Sequence, residues 1–437
     1  MKIRLISHAS VVITTDISIW TDPWLIGKAF NDSWSLFPPA VMDESLYDTI
    51  DYIFISHEHP DHFHIPTLKS LPEAFKERVT ILFQENNSDK VFKALNKFGF
   101  PNTKALPHAE TVQLTDATKV FCYQAGSMDS ALAVMSEGKT VLNVNDCEIN
   151  AKDCRRIERS IGKIDTILNQ FSIAGYSGYK ERENYLPAQA ENVLKKMLTN
   201  HVDLGAAVTI PFASFIYFSS EDNRYINEYG NKPQDAVDYF TKNGQEMAVL
   251  YPGDSYEVGT VGYDSAPALE RFRQLYEKGG ELTFDEGAVV PLDKIAAAFY
   301  KLSTHLRDKY PATMLRLLKP VTVTIPDLET TVVFDVSKGE FREAPNAADD
   351  ADLIVRSQPL HFGFSFPYGI QTLGVSARYT LIKNFPNWRK HRILFSLNNA
   401  ELYLKPRHLF TSKNFGFFRK RLPGAFNQLA YRIKVMR

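Results

Sequence analysis

Three cysteines in 437 residues, Cys122, Cys147 and Cys154, are too few for a disulfide framework. Together with a start that does not look like a signal peptide, they lead to the expectation of a reducing, cytoplasmic setting. No run of 18 apolar residues occurs, so no transmembrane helix is expected. A formal charge of −1 gives no electrostatic footprint for a nucleic-acid partner. Internal repeats and low-complexity segments are absent too. What remains, 44% hydrophobic and 23% charged residues, is the composition of an ordinary globular chain long enough for more than one domain.

One local absence is more pointed. No acidic residue follows Glu401, while Lys405, Arg407, Lys413, Arg419, Lys420, Arg421, Arg432, Lys434 and Arg437 do, interleaved with Phe410, Phe415, Phe417, Phe418, Phe426 and Tyr431. Residues 405–437 could meet a membrane surface or an acidic partner. The plainer reading, favoured by so many aromatics, is a basic helix packed on the body.

The densest chemistry lies at Ser56-His57-Glu58-His59-Pro60-Asp61-His62, an H-x-H-x-D-H spacing. The apolar run ending at Ser56 reads as a short buried strand. Residues two apart on an extended segment point the same way, so His57 and His59 can grip one ion while Asp61 and His62 face a second. A single histidine in a loop would more simply bond a carbonyl; four ligand-type residues in this order argue for metal. Thr140-Val141-Leu142-Asn143-Val144-Asn145 reads as a strand that delivers Asp146 at its end, a candidate bridge between two metals rather than only a turn or cap residue.

Around these motifs the N-terminal half alternates strands with helices. Strands are expected at Lys2–Ile6, Ser10–Thr14, Ser18–Trp20, Val79–Phe83, Thr111–Leu114, Lys119–Tyr123, Ala131–Met135, Thr166–Asn169 and Ala206–Ile210. Helices are expected from Ile65, over Lys90–Phe98, Cys154–Ile161 and Ala188–Asn200. That alternation argues for a layered α/β fold. The character changes near 265. Beyond it Ala266–Gly279 and Pro291–Leu306 read as helices, then Val321–Ile325, Thr331–Asp335, Asp352–Val355 and Ala377–Ile382 as strands with turns between. The expected division is therefore 1–265, metal-binding, and 266–437, α+β with a basic aromatic tail.

The H-x-H-x-D-H run resembles the signature of the metallo-β-lactamase superfamily, which implies a four-layer αβ/βα sandwich with metals at the strand ends. Further blocks, Asp22-Pro23-Trp24-Leu25-Ile26-Gly27 with Trp34, Pro66-Thr67-Leu68-Lys69, Leu142-Asn143 with Asp146-Cys147, Ile210-Pro211-Phe212-Ala213 with Arg224-Tyr225-Ile226, and Pro252-Gly253-Asp254, resemble the CMP-N-acetylneuraminate hydroxylase family. This likeness runs from about residue 1 to 260, with a faint continuation at Gly369–Tyr379. It implies a non-haem iron oxygenase with two metal ions, iron favoured over zinc or manganese, and a small-molecule substrate such as an N-acyl sugar nucleotide. The other reading of the same residues is a dinuclear metallohydrolase, of lactonase or phosphodiesterase type, in which Asp61 orients a metal-bound water. The C-terminal part resembles, on Val332-Val333-Phe334-Asp335 and Ala351-Asp352-Leu353-Ile354, a small sterol-carrier-like domain.

Two departures stand out. No cysteine has a histidine two or three positions on, so the Rieske pattern of the hydroxylases is missing and an external electron donor or a self-sufficient diiron centre is implied. The superfamily's histidines before the bridging aspartate and near the domain's end are missing as well; His8, His64, His108, Gln124 and Asp129 are the available substitutes. His8, at the end of the first strand, is the best of them, with a histidine bonded to a carbonyl as the equal alternative. Taken together, the expected metal set is His57, His59, Asp61, His62, Asp146 and His8, with Asp61 and Asp146 closest to the chemistry. Asp22 is expected to orient one ligand histidine through its other nitrogen. Phe171–Tyr179 could wall a pocket, and Lys180, Arg182 and Arg224 could meet phosphates.

Overall fold

A computed structural model describes residues 1–85, 89–126, 128–175, 182–277 and 282–409. Two sheets face each other in the first part of the chain. One has seven strands in the order Ser255–Glu257, Lys2–Ser7, Ser10–Thr14, Ser18–Thr21, Tyr52–Ile55, Thr80–Gln84, Thr103–Leu106. The other has five, in sequence order from Thr118–Ala125 through Asp129–Ser136, Lys139–Asn145 and Thr166–Gln170 to Val208–Phe212.

Alternation along the strands builds the layers. Ile3, Leu5, Val11, Ile13, Phe54 and Leu82 of the first sheet meet Val120, Cys122, Leu132, Val134, Val141, Leu168 and Ile210 of the second in one core. The intervening residues face outward. Ile53, Ile55, Ile81 and Phe83 pack with Leu68, Phe75, Val91 and Leu95 from the helices Ile65–Ser70, Glu73–Arg78 and Lys90–Lys97. Phe121, Ala131, Ala133, Leu142 and Ile167 do the same on the far side with Cys154 and Ile157 of Ala151–Ile161. Strands buried on both faces and covered by helices make the chain an αβ/βα sandwich here. A small sheet, Lys28–Ala29, Trp34–Leu36 and Ile216–Phe218, closes one end.

Further on, a five-stranded sheet (Glu340–Glu343, Thr330–Asp335, Val321–Ile325, Leu353–Ile354, Thr380–Leu381) packs with helices Leu292–Lys309, Ser357–Ser365, Gly369–Ser376 and Phe385–Asn399 around a second core. This is the α+β part. Helix Ala266–Glu277, by contrast, inserts Ala268 and Phe272 into the first core. Helices Ser357–Ser365 and Gly369–Ser376 replace what the sequence suggests as turns between strands, Phe385–Asn399 is a further helix beyond them, and of Ala377–Ile382 only Thr380–Leu381 pairs as strand. Pro359, Gly363 and Gly374 are poor helix formers, and the apolar residues run round both sides of these helices, so no single-sided stripe announces them. Among the described residues no helix is long and apolar enough to cross a membrane.

The two parts meet at a polar seam. Arg378, 3% exposed, faces Asp222 at 3.1 Å and donates to the Asn31 carbonyl and to Gln358 Oε1. Asn31 and Gln358 exchange hydrogen bonds of 3.0 and 2.7 Å, and Asn223 donates to the Ser376 carbonyl. Arg378→Ala would leave the Asp222 carboxylate only the Arg356 guanidinium, 3.9 Å away. Removing one partner of a buried pair costs about 3 kcal/mol or more, so urea denaturation of the variant is expected to show a loss of that size, against near-wild-type stability for Arg407→Ala at an exposed pair with Asp308.

Candidate metal centre

Strand Tyr52–Ile55 runs parallel between Ser18–Thr21 and Thr80–Gln84, so the segment after Ile55 leaves at the end where the sheet's parallel strands finish. Ser56 anchors the histidine-bearing loop. Its carbonyl accepts from Gln84 Nε2 at 3.0 Å and from Ser130 Oγ at 2.6 Å, which ties the loop to the opposite sheet. Its amide and hydroxyl both donate to Asp22, at 2.7 Å each. Asp22 follows the neighbouring strand in a left-handed conformation (φ 39°), which aims its carboxylate sideways.

That carboxylate also takes a hydrogen bond from His62 Nδ1 at 2.8 Å. The bond fixes the ring and turns Nε2 away, as an orienting partner of a ligand histidine does. Asp61 Oδ2 lies 3.3 Å from His62 Nε2 and 3.2 Å from His8 Nε2. Asp146 Oδ2 lies 3.6 Å from His62 Nε2 and 3.7 Å from His57 Nε2, between the two rings. His57 Nε2 faces His59 Nδ1 at 2.8 Å. Asp146 reaches this place because Asn145 turns left-handed (φ 46°), held by Asn143 Oδ1 on its amide and by its own side chain donating to the Ser130 carbonyl.

Three overlapping groups result: His57, His59 and Asp129; His57, His62 and Asp146; His8, Asp61 and His62. Within each, the ligand atoms lie inside 4.8 Å of one another. An ion bonded at about 2.1 Å holds its ligand atoms roughly 3 to 3.5 Å apart, so these separations fit two neighbouring metal positions. The buried donors fit as well. Asp61 Oδ1, His62 Nε2, Asp146 Oδ1 and His8 Nδ1 are buried without a hydrogen-bond partner, a costly state for four polar atoms in one place unless something binds them.

The electrostatics follow from crowding. Burial pushes the His57 imidazole well below its ordinary range despite Asp146, and lowers His59 too. Burial acts on His62 in the same direction, but Asp61, Asp146 and Asp22 overcome it and hold its pKa well above normal. Asp61 is the reverse: burial raises it, and His62 and His8 hold it well below the usual carboxylate range. Asp146 is lowered by His57 and His62 against the same burial penalty. The carboxylates are therefore ready as anionic ligands.

The expected residues His8, His57, His59, Asp61, His62 and Asp146 are thus brought together. Of the other substitutes, Asp129 joins His57 and His59, at the first position of strand Asp129–Ser136. His64 instead caps helix Ile65–Ser70 by accepting from the Thr67 amide and stacks on Trp24, with burial lowering its pKa to about 4. His108 accepts from the Gln124 amide, and Gln124 donates to the Glu85 carbonyl. Arg224 pairs with Glu221. Lys180 and residues 176–179 of the expected pocket loop lie outside the described residues, as do the Arg182 side chain and the tail from 410. Gln84, Ser130 and Asn145 had no signal in the sequence, since each is an ordinary polar strand residue until the two sheets meet.

Trp24 and Trp34 sit edge-on to His8, with ring centroids 5.7 and 6.5 Å away, and Phe30 lies 5.9 Å from His59. These rings belong to a buried cluster with Ile173, Phe218 and Ala377, which keeps bulk water off one side of the site. The small sheet carries Trp34 into place.

Residues 2–151 match the beta-lactamase superfamily domain. The inactive cytidine monophosphate-N-acetylneuraminic acid hydroxylase of Homo sapiens is 27% identical over 282 residues, covering 60% of this chain and 55% of that protein. The cytidine monophosphate-N-acetylneuraminic acid hydroxylase of Sus scrofa is 28% identical over 260 residues, covering 55% and 58%. The chain thus spans about half the length of the curated relatives it matches. An isothiocyanate hydrolase from Delia radicum gut bacteria superposes with a TM-score of 0.45 at 16% identity, over 60% of this chain and 100% of that one. Paired sheets and the H-x-H-x-D-H loop accompany the family match: residues 2–151 resemble a beta-lactamase superfamily domain, and the chain is similar to the cytidine monophosphate-N-acetylneuraminic acid hydroxylases.

Proposed function

We propose that this chain is a metal-dependent oxygenase whose centre takes two iron ions at His57, His59, Asp129, Asp146, His62, Asp61 and His8. The observation that carries this reading is the donor set. Asp129 stands beside His57 and His59 where a third imidazole would complete a nitrogen-rich site. Three carboxylates with four imidazoles make a harder, more anionic site than the histidine-rich sets that suit zinc, and mixed carboxylate and imidazole donors suit iron.

Bound iron would supply the redox chemistry of dioxygen. The protein's own part is positioning. Asp22 fixes the His62 ring, the Ser56 clamp fixes the loop, and Trp24, Phe30 and Trp34 wall the centre. The relatives' names point to an N-acylated sugar nucleotide or a similar small molecule as substrate; a separate electron-donor protein belongs to this reading because no cysteine here has a histidine two or three positions on. The described structure also supports a two-domain reading. Because Ala268 and Phe272 belong to the first core, the division is proposed after Glu277 rather than at 265, with an α+β, sterol-carrier-like second domain.

Metal analysis with a visible spectrum tests the centre. Aerobically purified protein is expected to hold close to two irons per chain and to show ligand-to-metal absorption that dithionite bleaches. Colourless protein with two zinc ions would overturn the iron reading in favour of a hydrolase that uses a metal-bound hydroxide.

A further inference from the structure

The C-terminal part has a second feature that the metal centre does not explain. Helices Ser357–Ser365 and Gly369–Ser376 meet at a tip, Phe366-Pro367-Tyr368, where Phe366 and Tyr368 are 41% and 43% exposed. Their rings stack at 5.4 Å, and Phe362 packs against Phe366 at 4.7 Å. Gly363 and Gly369 let the two helices touch so closely that a side chain at Gly369 would collide with the Phe362 carbonyl. The tip is thus a rigid wedge of three aromatics.

Beside it lies helix Phe385–Asn399. Gln371 Nε2 donates to Ser396 Oγ, Asn399 donates to Gln371 Oε1, and Arg392 lies against Gly374. Beyond this contact, away from the tip, the helix carries Arg389, Lys390, Arg392 and Ile393, with Ile393 45% exposed and Lys390 donating to the Leu317 carbonyl at 3.4 Å. Other cations nearby are neutralised: Arg378 by Asp222, Lys383 by Asp350, Arg407 by Asp308. Arg389, Lys390 and Arg392 form no ion pair with a described residue.

Charge of one sign extends along the whole segment. Residues 353–437 contain fifteen Lys or Arg and a single acid, Glu401, which pairs with Lys90 of the first part. A chain with net charge −1 has therefore gathered its positive charge at this end. Exposed aromatics with cations on the adjoining helix are a combination that an anionic bilayer surface takes up, with rings at headgroup depth and cations on the lipid phosphates. The chain's own tail beyond 409 does not suit this face as a cover, since it brings more positive charge to a positive surface.

We propose that the Phe362–Phe366–Tyr368 tip and the cations Arg389, Lys390 and Arg392 of the adjoining helix form a docking surface for an anionic phospholipid membrane. The surface is independent of the iron reading, but it is coupled to the centre in space. Helix Gly369–Ser376, about 12 Å long at 1.5 Å per residue, starts at the wedge and ends at Val375 and Ala377, which pack into the aromatic cluster beside the metal residues. Val375 also lies directly against Gly175, where an added Cβ would come within 2.7 Å of the Val375 carbonyl oxygen. Membrane contact at the tip would place the centre's aromatic wall near the lipid surface.

Vesicle co-sedimentation of the full chain tests this. Binding is expected to vesicles of phosphatidylcholine with 30% phosphatidylserine or phosphatidylglycerol, to weaken as salt rises, and to be absent on pure phosphatidylcholine, a composition chosen to give about the surface charge of an anionic leaflet. The triple variant Arg389→Glu, Lys390→Glu, Arg392→Glu should lose about a hundredfold or more in partitioning, since each cation near the surface contributes about a factor of five. Phe366→Ser with Tyr368→Ser should weaken binding at unchanged charge, while metal content stays at the wild-type value because neither ring touches the metal residues. No wild-type binding to anionic vesicles, equal binding to neutral ones, or wild-type partitioning by both variants would overturn the proposal. Retention on an acidic protein or nucleic acid with no vesicle binding would overturn it too.

Discussion

Asp146→Ala is expected to empty both metal positions, whereas His59→Ala should empty one. Asp146 Oδ2 sits between His57 and His62, at 3.7 and 3.6 Å, so it faces one histidine from each of the two outer groups of ligands. His59 belongs to one group only, with His57 and Asp129. Losing a partner that merely orients a ligand costs about 10- to 100-fold in metal affinity; losing a ligand shared by two ions should cost at least the upper end of that range for each. Elemental analysis after dialysis reads the difference directly. Wild type should retain two ions, His59→Ala about one, held by His8, Asp61 and His62 together with Asp146, and Asp146→Ala close to none. Unchanged metal in Asp146→Ala would remove Asp146 from the ligand set. The same variant should fold, because its neighbours Asn145 and Cys147 keep their own bonds, and Asn145 donates to Ser130 independently of Asp146.

The second large effect is expected at Asp22, which touches no metal position. Its fully buried carboxylate accepts from the Ser56 amide, the Ser56 hydroxyl and His62 Nδ1. Asp22→Ala leaves the Ser56 amide without its acceptor, leaves the Ser56 hydroxyl only the ring nitrogens of His57 and His62, and removes the anion that compensates a charged His62. Unpaired buried donors cost about 1 to 3 kcal/mol each, and breaking a buried charge pair about 3 to 5 kcal/mol. These overlap, so a total loss of about 4 kcal/mol in urea denaturation of the metal-free protein is the expected result. Asp22→Asn divides the two roles. It preserves the volume and one acceptor, so it should cost less stability. Its amide nitrogen would face either Ser56 or His62, which releases the His62 ring from its orientation and should weaken metal binding by about 10- to 100-fold. A metal-free Asp22→Ala protein within about 1 kcal/mol of wild type, a threshold at the size of one ordinary hydrogen bond, would show that the carboxylate holds nothing in place.

Much of this centre can be read from the chain because the chemistry is local. His57, His59, Asp61 and His62 come from six consecutive positions, and short apolar strands on either side place them. Asp22 is legible from its place after the strand at Ser18, and Asp146 from a strand that ends in an aspartate. Asp129 is less so. It opens a strand whose alternation is clear, but a lone aspartate at a strand's start looks like a turn residue until the opposite sheet carries His57 and His59 to it. Gln84 and Ser130 are silent for the same reason: their partner, the Ser56 carbonyl, is a backbone atom with no sequence signature. The C-terminal helices hide differently. Phe364, Ile370 and Leu373 are apolar at positions consistent with several structures, and glycine and proline among them mask the helical period, so burial on more than one side decides what local propensity leaves open.

The Ser56 carbonyl bonds have a mechanical consequence. His8, His57, His59, Asp61 and His62 hang from one sheet, Asp129 and Asp146 from the other, and Gln84 with Ser130 spans the gap. The centre is thus a seam, and any ion that fills it fastens two halves that otherwise meet largely through apolar contact. Each half can collapse before the ion arrives, but their register is locked only afterwards. The free energy of loading then appears as resistance of the two sheets to sliding or parting, and the slowest-exchanging amides of the loaded protein should lie on both sides of that joint.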